Sequence, residues 1–277
     1  MNNIQKMVKK SGTSFFWSMR LLPSAKRNAM YTIYAFFRHI DDIVDGDAPV
    51  QEKLDLLEAW RKEIDNIYDK KVPTTDIGRK IYKNCMRFKL PKEEFIRMID
   101  SISMDLPEPI QAPSLQEFYE YCRGVAGVPG SLSLRIFGCN DENVIEDLSS
   151  SLGTALQITN ILRDVKEDAM VQRLYIPREF LEKAGIQATD PLSVVVNKNL
   201  ALAREELARI AGKCYDKAFE TLKKLDKKTA RPVRAIAYIY KRYFDIMQNR
   251  GWEVISPKPH LSRPLKLCLA LKAFFGK

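Results

Sequence analysis

Apolar residues recur at three- and four-residue spacing along nearly all of this chain, and Val/Ile/Thr runs with period-two alternation are almost absent. That period is the repeat of one helix face and leaves little room for strands. The spacing predicts a first helix over 24–46, capped by Ser24 after Pro23 and stopped at Gly46, and a second over about 51–68. Pro91 opens another towards Met104, and Ser114 with Glu117 three residues on reads as a capping box for a helix through Tyr121. The glycines and Pro129 of GVAGVPGSLSLRIFG predict a break near 127–130. Helices are expected again over 141–168, 177–185, 191–224, 230–249 and 262–275, with a Pro-rich connector around 254–260. No repeat or long linker interrupts them, so an all-α fold in one domain over 1–277 is expected.

Composition narrows the class. Apolar residues make up 45% and charged residues 29%, a soluble globular mixture, and no stretch is long and apolar enough to span a bilayer. The net charge of +10 suits polyanions, anionic membrane surfaces or small phosphorylated substrates. Nucleic acid is not expected as a partner, because basic residues are spread along most helices and no binding motif is present. The five cysteines are far apart and form no C-x-x-C pair, which argues against a disulfide framework or zinc site and for a reducing cytoplasm. With His39 and His260 the only histidines, a histidine-rich metal centre is excluded. The basic N-terminus has no apolar run behind it and does not read as a secretory signal.

Two acidic clusters carry the chemistry. In RHIDDIVDG, Asp41 and Asp45 lie four residues apart on one helix face, just before the stop at Gly46. Carboxylates in the last turn oppose the helix dipole and repel each other by about 0.3–1 kcal/mol each, a strain that a shared cation relieves. In QITNILRDVKED, Asn160, Asp164 and Asp168 fall at i, i+4 and i+8, with Gln157, Arg163 and Arg173 close by for anion contact. Oxygen donors without His or Cys suit Mg2+, which takes few carboxylates and completes its shell with water and substrate phosphates.

Around these clusters the chain resembles the squalene/phytoene synthase family in several segments, in the family's order. They are SFFWSMRLLP (14–23), YAFFRHIDDIVD (34–45), YCRGVAG (121–127), LGTALQITNILRDVKED (152–168) and RLYIP (173–177). The resemblance implies an isoprenoid synthase helical bundle with the two acidic helices facing across a central cavity. It assigns metal binding to Asp41, Asp45, Asn160, Asp164 and Asp168, and catalysis to Asp41, Asp45, Asp164, Asp168 and Tyr240. Substrate contacts are implied for Ser11, Ser14, Phe15, Tyr34, Arg38, Tyr121, Gln157, Arg163, Arg173 and Tyr175.

Within the family, YCRGVAG, LSLRIFG and the C-terminal RGW and SRPLKLCLALKAFF segments most resemble bacterial hopanoid-cluster members that make presqualene diphosphate. That implies head-to-head condensation of two farnesyl diphosphates, with phytoene, squalene or dehydrosqualene synthesis as same-fold alternatives. A non-catalytic helical partner is the different-class alternative, and it predicts decayed acidic positions, whereas both clusters are intact. NADPH is not expected, since no Gly-rich dinucleotide fingerprint is present.

Phe15, Tyr34, Phe36 and Tyr121 are candidates for stabilising an allylic cation through their ring faces. Val171 and Gln172 depart from the basic residue and Gly that many members carry there. His39 reads as a helix-surface or supporting residue. The C-terminal helix, apolar on one side and basic on the other, is expected either to close the bundle or to contact the inner membrane face peripherally. Residue patterns leave the oligomeric state open.

Overall fold

The computed structural model of the chain describes residues 19, 22–187 and 190–275. Among these the secondary structure is helical, apart from an isolated parallel bridge between Gln111 and Leu174. In chain order the helices are α1 (Ser24–Asp45), α2 (Val50–Tyr68), α3 (Asp76–Phe88), α4 (Lys92–Ser103), α5 (Leu115–Cys122), a π-helical turn (Arg123–Gly127), α6 (Val128–Phe137) and α7 (Glu142–Met170). They continue with α8 (Arg178–Lys183), α9 (Pro191–Val195), α10 (Leu200–Leu222), α11 (Lys227–Arg250) and α12 (Arg263–Phe275). The long helix α7 forms the spine: α10 runs along one side of it, and the π-turn, α6 and α11 pack on others.

Several ends follow the sequence chemistry. Asp141 caps α7 by accepting from the backbone N–H groups of Asn143 (3.0 Å) and Val144 (3.2 Å). The Ser114–Glu117 capping box forms at the start of α5. At α1 the cap is Pro23, with no side-chain hydrogen bond, so Ser24 is the first helical residue rather than the expected cap. The proline ring fixes φ at −53° here, and the residue needs no N–H of its own.

The expected helix over 191–224 is two helices. The Asn197 side chain accepts from the Asn199 N–H (2.9 Å), and Asn199 donates to the Ala184 carbonyl (2.9 Å). These local bonds replace the helical ladder between α9 and α10. Helix α3 has no counterpart in the sequence reading, because its buried side chains are confined to Ile81 and Cys85.

The expected break near Pro129 falls earlier, in the π-turn. Pro129 itself sits in the first turn of α6, where its missing N–H is tolerated. Two glycines let the π-turn lie flat against its neighbours. A Cβ on Gly153 of α7 would meet the Gly127 backbone at 2.8 Å, and one on Gly124 would overlap Ser101 Oγ at 1.6 Å. This close approach draws the YCRGVAG segment against α7 and so shapes the cavity wall.

Candidate active site

One stripe of α1 faces inward: Met30, Ile33, Tyr34, Phe37, Arg38, Asp41, Val44 and Asp45, the i, i+3, i+4 repeat of a single helix face. It opposes Leu152, Leu156, Gln157 and Asn160 of α7, Val233, Ile236 and Tyr240 of α11, and Met98 and Ile102 of α4, around a cavity of about 440 Å3. From Asp41 down to Met30 the wall extends about 16 Å at 1.5 Å per residue. Polar groups crowd the end near Asp41, and aliphatic and aromatic side chains line the rest.

Of the site residues expected from sequence, Tyr34, Arg38, Asp41, Asp45, Tyr121, Gln157, Asn160, Arg173, Tyr175 and Tyr240 line this cavity. Asp164, Asp168 and Arg163 lie further along α7 and do not contribute to its lining. Ser11, Ser14 and Phe15 lie outside the described residues. Phe36 is corrected: it is fully buried and packs edge-on against Trp60 and Phe95, while its neighbour Phe37 faces the cavity. His39 packs on Trp60 beside that core, and burial holds its pKa below the usual imidazole range.

The polar end is a lattice of opposed charges. Arg38 spans Asp41 (3.0 Å) and Asp42 (2.5 Å), and Arg173 reaches across from the loop after α7 to Asp45 (2.7 Å). Arg163 clasps Asp164 through Nε (2.9 Å) and a terminal nitrogen (2.5 Å), with its guanidinium 5.2 Å from the centre of the Tyr243 ring. Lys258 lies 3.4 Å from Asp164 and 3.1 Å from Glu167.

Burial, then the like charge of Asp45, pushes the Asp41 carboxyl up to about 6. Burial, then Asp164, pushes Asp168 up to about 7. Asp164 goes the other way: burial raises it, but Arg163 and Lys258 outweigh burial and hold it below the usual carboxylate range. Burial raises the Tyr240 hydroxyl despite nearby Arg163, so it is a proton-bearing phenol at neutral pH.

These donors fit a hard divalent cation. All five candidate ligands offer oxygen, and Asn160 Oδ1 is buried with no hydrogen-bond partner among the described residues. No three His, Cys, Asp or Glu side chains among the described residues converge on one point. The arrangement therefore suits an ion that takes one or two carboxylates and fills its shell from water and phosphate.

Asp105 and Lys258 were not anticipated. Asp105, just beyond the end of α4, is buried and accepts from the Ile110 N–H (3.0 Å) and the Tyr175 hydroxyl (3.0 Å), with Arg173 at 3.4 Å. Tyr175 in turn stacks on Tyr121 with ring centres 4.8 Å apart. One carboxylate thus holds the RLYIP segment against the cavity. Gln172, before it, takes φ +61°, the left-handed region that glycine favours. Asp105→Ala is expected to cost about 1–3 kcal/mol in a urea melt by stranding these donors. Asp105→Asn should recover much of that stability without the charge that holds Arg173. A normal kcat/KM in the asparagine variant would deny Asp105 a part in positioning Arg173.

The chain belongs to the squalene/phytoene synthase family, whose model matches residues 8–265. It is 37% identical to a presqualene diphosphate synthase of Sinorhizobium fredii over 87% of this chain and 85% of that protein. It is 35% identical to a presqualene diphosphate synthase of Rhodopseudomonas palustris over 94% and 92% of the two chains. Among solved structures, a dehydrosqualene synthase in complex with ligand superposes with a TM-score of 0.83 at 25% identity, covering 98% of this chain and 93% of that one. The fold is the all-α isoprenoid synthase bundle, and the chain is a prenyltransferase. No helix among the described residues is long and apolar enough to cross a membrane.

Proposed function

We propose that this chain condenses two farnesyl diphosphates head-to-head to presqualene diphosphate with the help of Mg2+. The observation that carries the reading is the division of one cavity into a charged end, formed by Asp41, Asp45, Asn160 and Arg173, and a long apolar remainder. That division matches a ligand with an ionic head and a hydrocarbon tail. The two presqualene diphosphate synthases at 35–37% identity support the product over its same-fold alternatives.

On this reading Asp41 and Asp45 of α1 and Asn160, Asp164 and Asp168 of α7 would hold Mg2+ ions between them, each ion taking one or two carboxylates. When bound, Mg2+ acts as a Lewis acid on the diphosphate oxygens and eases departure of the leaving group. Arg38, Arg163, Arg173 and Lys258 turn from the carboxylates to the diphosphate, for which a guanidinium fork is well shaped. The aliphatic walls keep water from the allylic cation left at C1. Tyr34, Phe37, Tyr121 and Tyr175 offer ring faces to that cation.

The second farnesyl chain attacks through its double bond, and loss of one proton closes the cyclopropane. The released diphosphate is the acceptor of that proton; Tyr240, which keeps its own, donates a hydrogen bond to it. Gln157, 3.4 Å from the Asn160 amide, steadies that ligand. Ser11, Ser14 and Phe15 belong to the same proposed substrate contacts. One continuous apolar cluster joining side chains from α1 to α11 supports a single domain over 1–277. The unbridged cysteines support a cytoplasmic protein.

The test is product identification after incubation with farnesyl or geranylgeranyl diphosphate and Mg2+, with and without NADPH. Presqualene diphosphate from farnesyl diphosphate, with no change on adding NADPH, is expected. Phytoene from the longer substrate, squalene formed with NADPH, or no turnover would each overturn the reading in favour of a stated alternative.

A further inference from the structure

The chain's basic residues are spread along it, but its net positive charge is segregated. Residues 227–277 contain twelve of the 45 basic residues and two of the 35 acidic ones, a net +10 equal to that of the whole chain. Residues 1–226 therefore balance to neutrality, and from Val254 onward there is no acidic residue at all. This part of the sequence is the pair α11 and α12, which pack on each other.

Helix α12 buries little. It meets α11 through Ala270 and Ala273 against Ala235, with Tyr238 and Phe274 partly covered. Its outer face is apolar where an outer face is ordinarily charged. Leu267, Leu271 and Phe275 recur at i, i+4 and i+8 and are exposed at 37%, 38% and 78%, joined by Leu265 at 36% and by the exposed Cys268. Lys272 and Arg263 stand at its edges. On α11, Lys228, Arg231 and Arg242 fall at helical spacing with Ala235 and Tyr238, on the face that receives α12, and all three are exposed. Among the described residues Arg231, Arg234, Arg242, Arg263 and Lys272 have no acidic partner within 4 Å.

An apolar stripe bordered by unneutralised cations is complementary to a bilayer interface bearing anionic headgroups. The stripe enters the acyl boundary while lysine and arginine stay at headgroup level. At 13 residues the helix is about 20 Å long, which suits lying on a membrane rather than crossing it. The opposite face of α11 lines the cavity through Val233, Ile236 and Tyr240, so one helix separates the two.

We infer that the outer face of α12, with the basic edge of α11, is a docking surface for an anionic phospholipid bilayer. The surface sits one helix from the cavity in which, on the function proposed above, a lipid product is made. Lys258, at the rim of the acidic cluster, precedes α12 by five residues and links the two regions covalently.

The test is co-sedimentation of the full chain with phosphatidylcholine vesicles, with and without about one third phosphatidylglycerol. Binding to the anionic vesicles alone, reversed at high salt, is expected. Arg231→Gln with Arg242→Gln should weaken partitioning about thirtyfold, at about 1 kcal/mol for each cation. Leu267→Glu with Leu271→Glu should abolish binding, and since both side chains reach solvent, where a carboxylate stays hydrated, the thermal melt should stay a single cooperative transition with only a small shift. Equal binding of the leucine variant, equal binding to neutral vesicles, or no binding by the unaltered chain would each overturn the proposal. A dimer on gel filtration that the leucine variant dissociates, without vesicle binding, would assign the face to a second copy instead. Sedimentation needs no substrate, so its outcome stands apart from that of the product assay.

Discussion

Asp41→Asn combined with Asp168→Asn is expected to abolish prenyl turnover and, in the same protein, to raise the melting temperature of the metal-free fold. Both carboxyls are held above their ordinary 3.8, at about 6 and about 7, first by burial and then by a neighbouring carboxylate. An acid raised in this way adds stability that is complete below pH 3.8 and is lost as pH rises through about 6 and about 7. At neutral pH the native fold therefore carries a nearly full charge at Asp41 and about half a charge at Asp168, both held poorly, and asparagine removes them.

Asp41 keeps 44% of its side-chain surface open, so solvent screening discounts its share. A gain of about 1–3 kcal/mol, or about 3–8 °C in Tm, is the expected scale. The loss of rate follows from removing charge that the proposed ion requires, worth several kcal/mol, about a thousandfold or more. Added Mg2+ with inorganic diphosphate should raise the Tm of the unaltered chain and leave that of the double variant unchanged.

Asp164→Asn supplies the contrast. Its carboxyl is held low, so its stabilising contribution is present above pH 3.8 and is lost as pH falls through the depressed value. That variant should lose activity and stability together. Calorimetry and initial rates on the two variants check the assignment, and substantial turnover by the Asp41/Asp168 variant would end it.

Arg204→Met is expected to lower stability by about 1–3 kcal/mol, through loss of the hydrogen bonds that its guanidinium makes to backbone carbonyls of two distant segments. Arg204 is 1% exposed, and burial draws its pKa down to about 10, so it is still charged at neutral pH. Its guanidinium donates to the carbonyls of Leu162 (2.9 Å), Val254 (3.4 Å) and Trp252, and lies 5.8 Å from the centre of the Trp252 ring. Leu162 is in the C-terminal third of α7, immediately before Arg163 and Asp164, and the Trp252–Val254 segment leads to Lys258.

Methionine fills much of the volume but donates to none of the three carbonyls, of which that of Leu162 keeps its helical partner. Lysine should not restore the loss, because one ammonium cannot reproduce a planar fork aimed at two chain segments. Urea melts followed by far-UV circular dichroism give the magnitude, and a loss below 1 kcal/mol would show that the carbonyls find other donors. Initial rates on the folded fraction should also fall, since Lys258 then loses its mooring beside Asp164.

Much of the site can be read in the sequence because its parts are local. Asn160, Asp164 and Asp168 share a face through helical periodicity alone, and the same holds for Asp41 and Asp45. Phe36 and Phe37 show where such reading stops. Adjacent residues point about 100° apart on a helix, and the packing of α2 and α4 decides which ring enters the core. Asp105 had no signal of its own, since a single acid after a helix end is common; what distinguishes it is burial beneath Tyr175 and Arg173.

The helical class, the two oxygen-donor stripes and the confinement of the net charge to the last 51 residues are all legible along the chain, because periodicity and composition are properties of sequence neighbours. The packing of the helices settles which charges meet. Arg173 and Asp45 are separated by 128 positions and Lys258 and Asp164 by 94. The same packing lets the π-turn close on Gly153, brings Arg204 to the Leu162 carbonyl of α7, and turns the apolar side of α12 outward. Each of these depends on how helices stack, a matter of shape and desolvation between distant segments that no local pattern records.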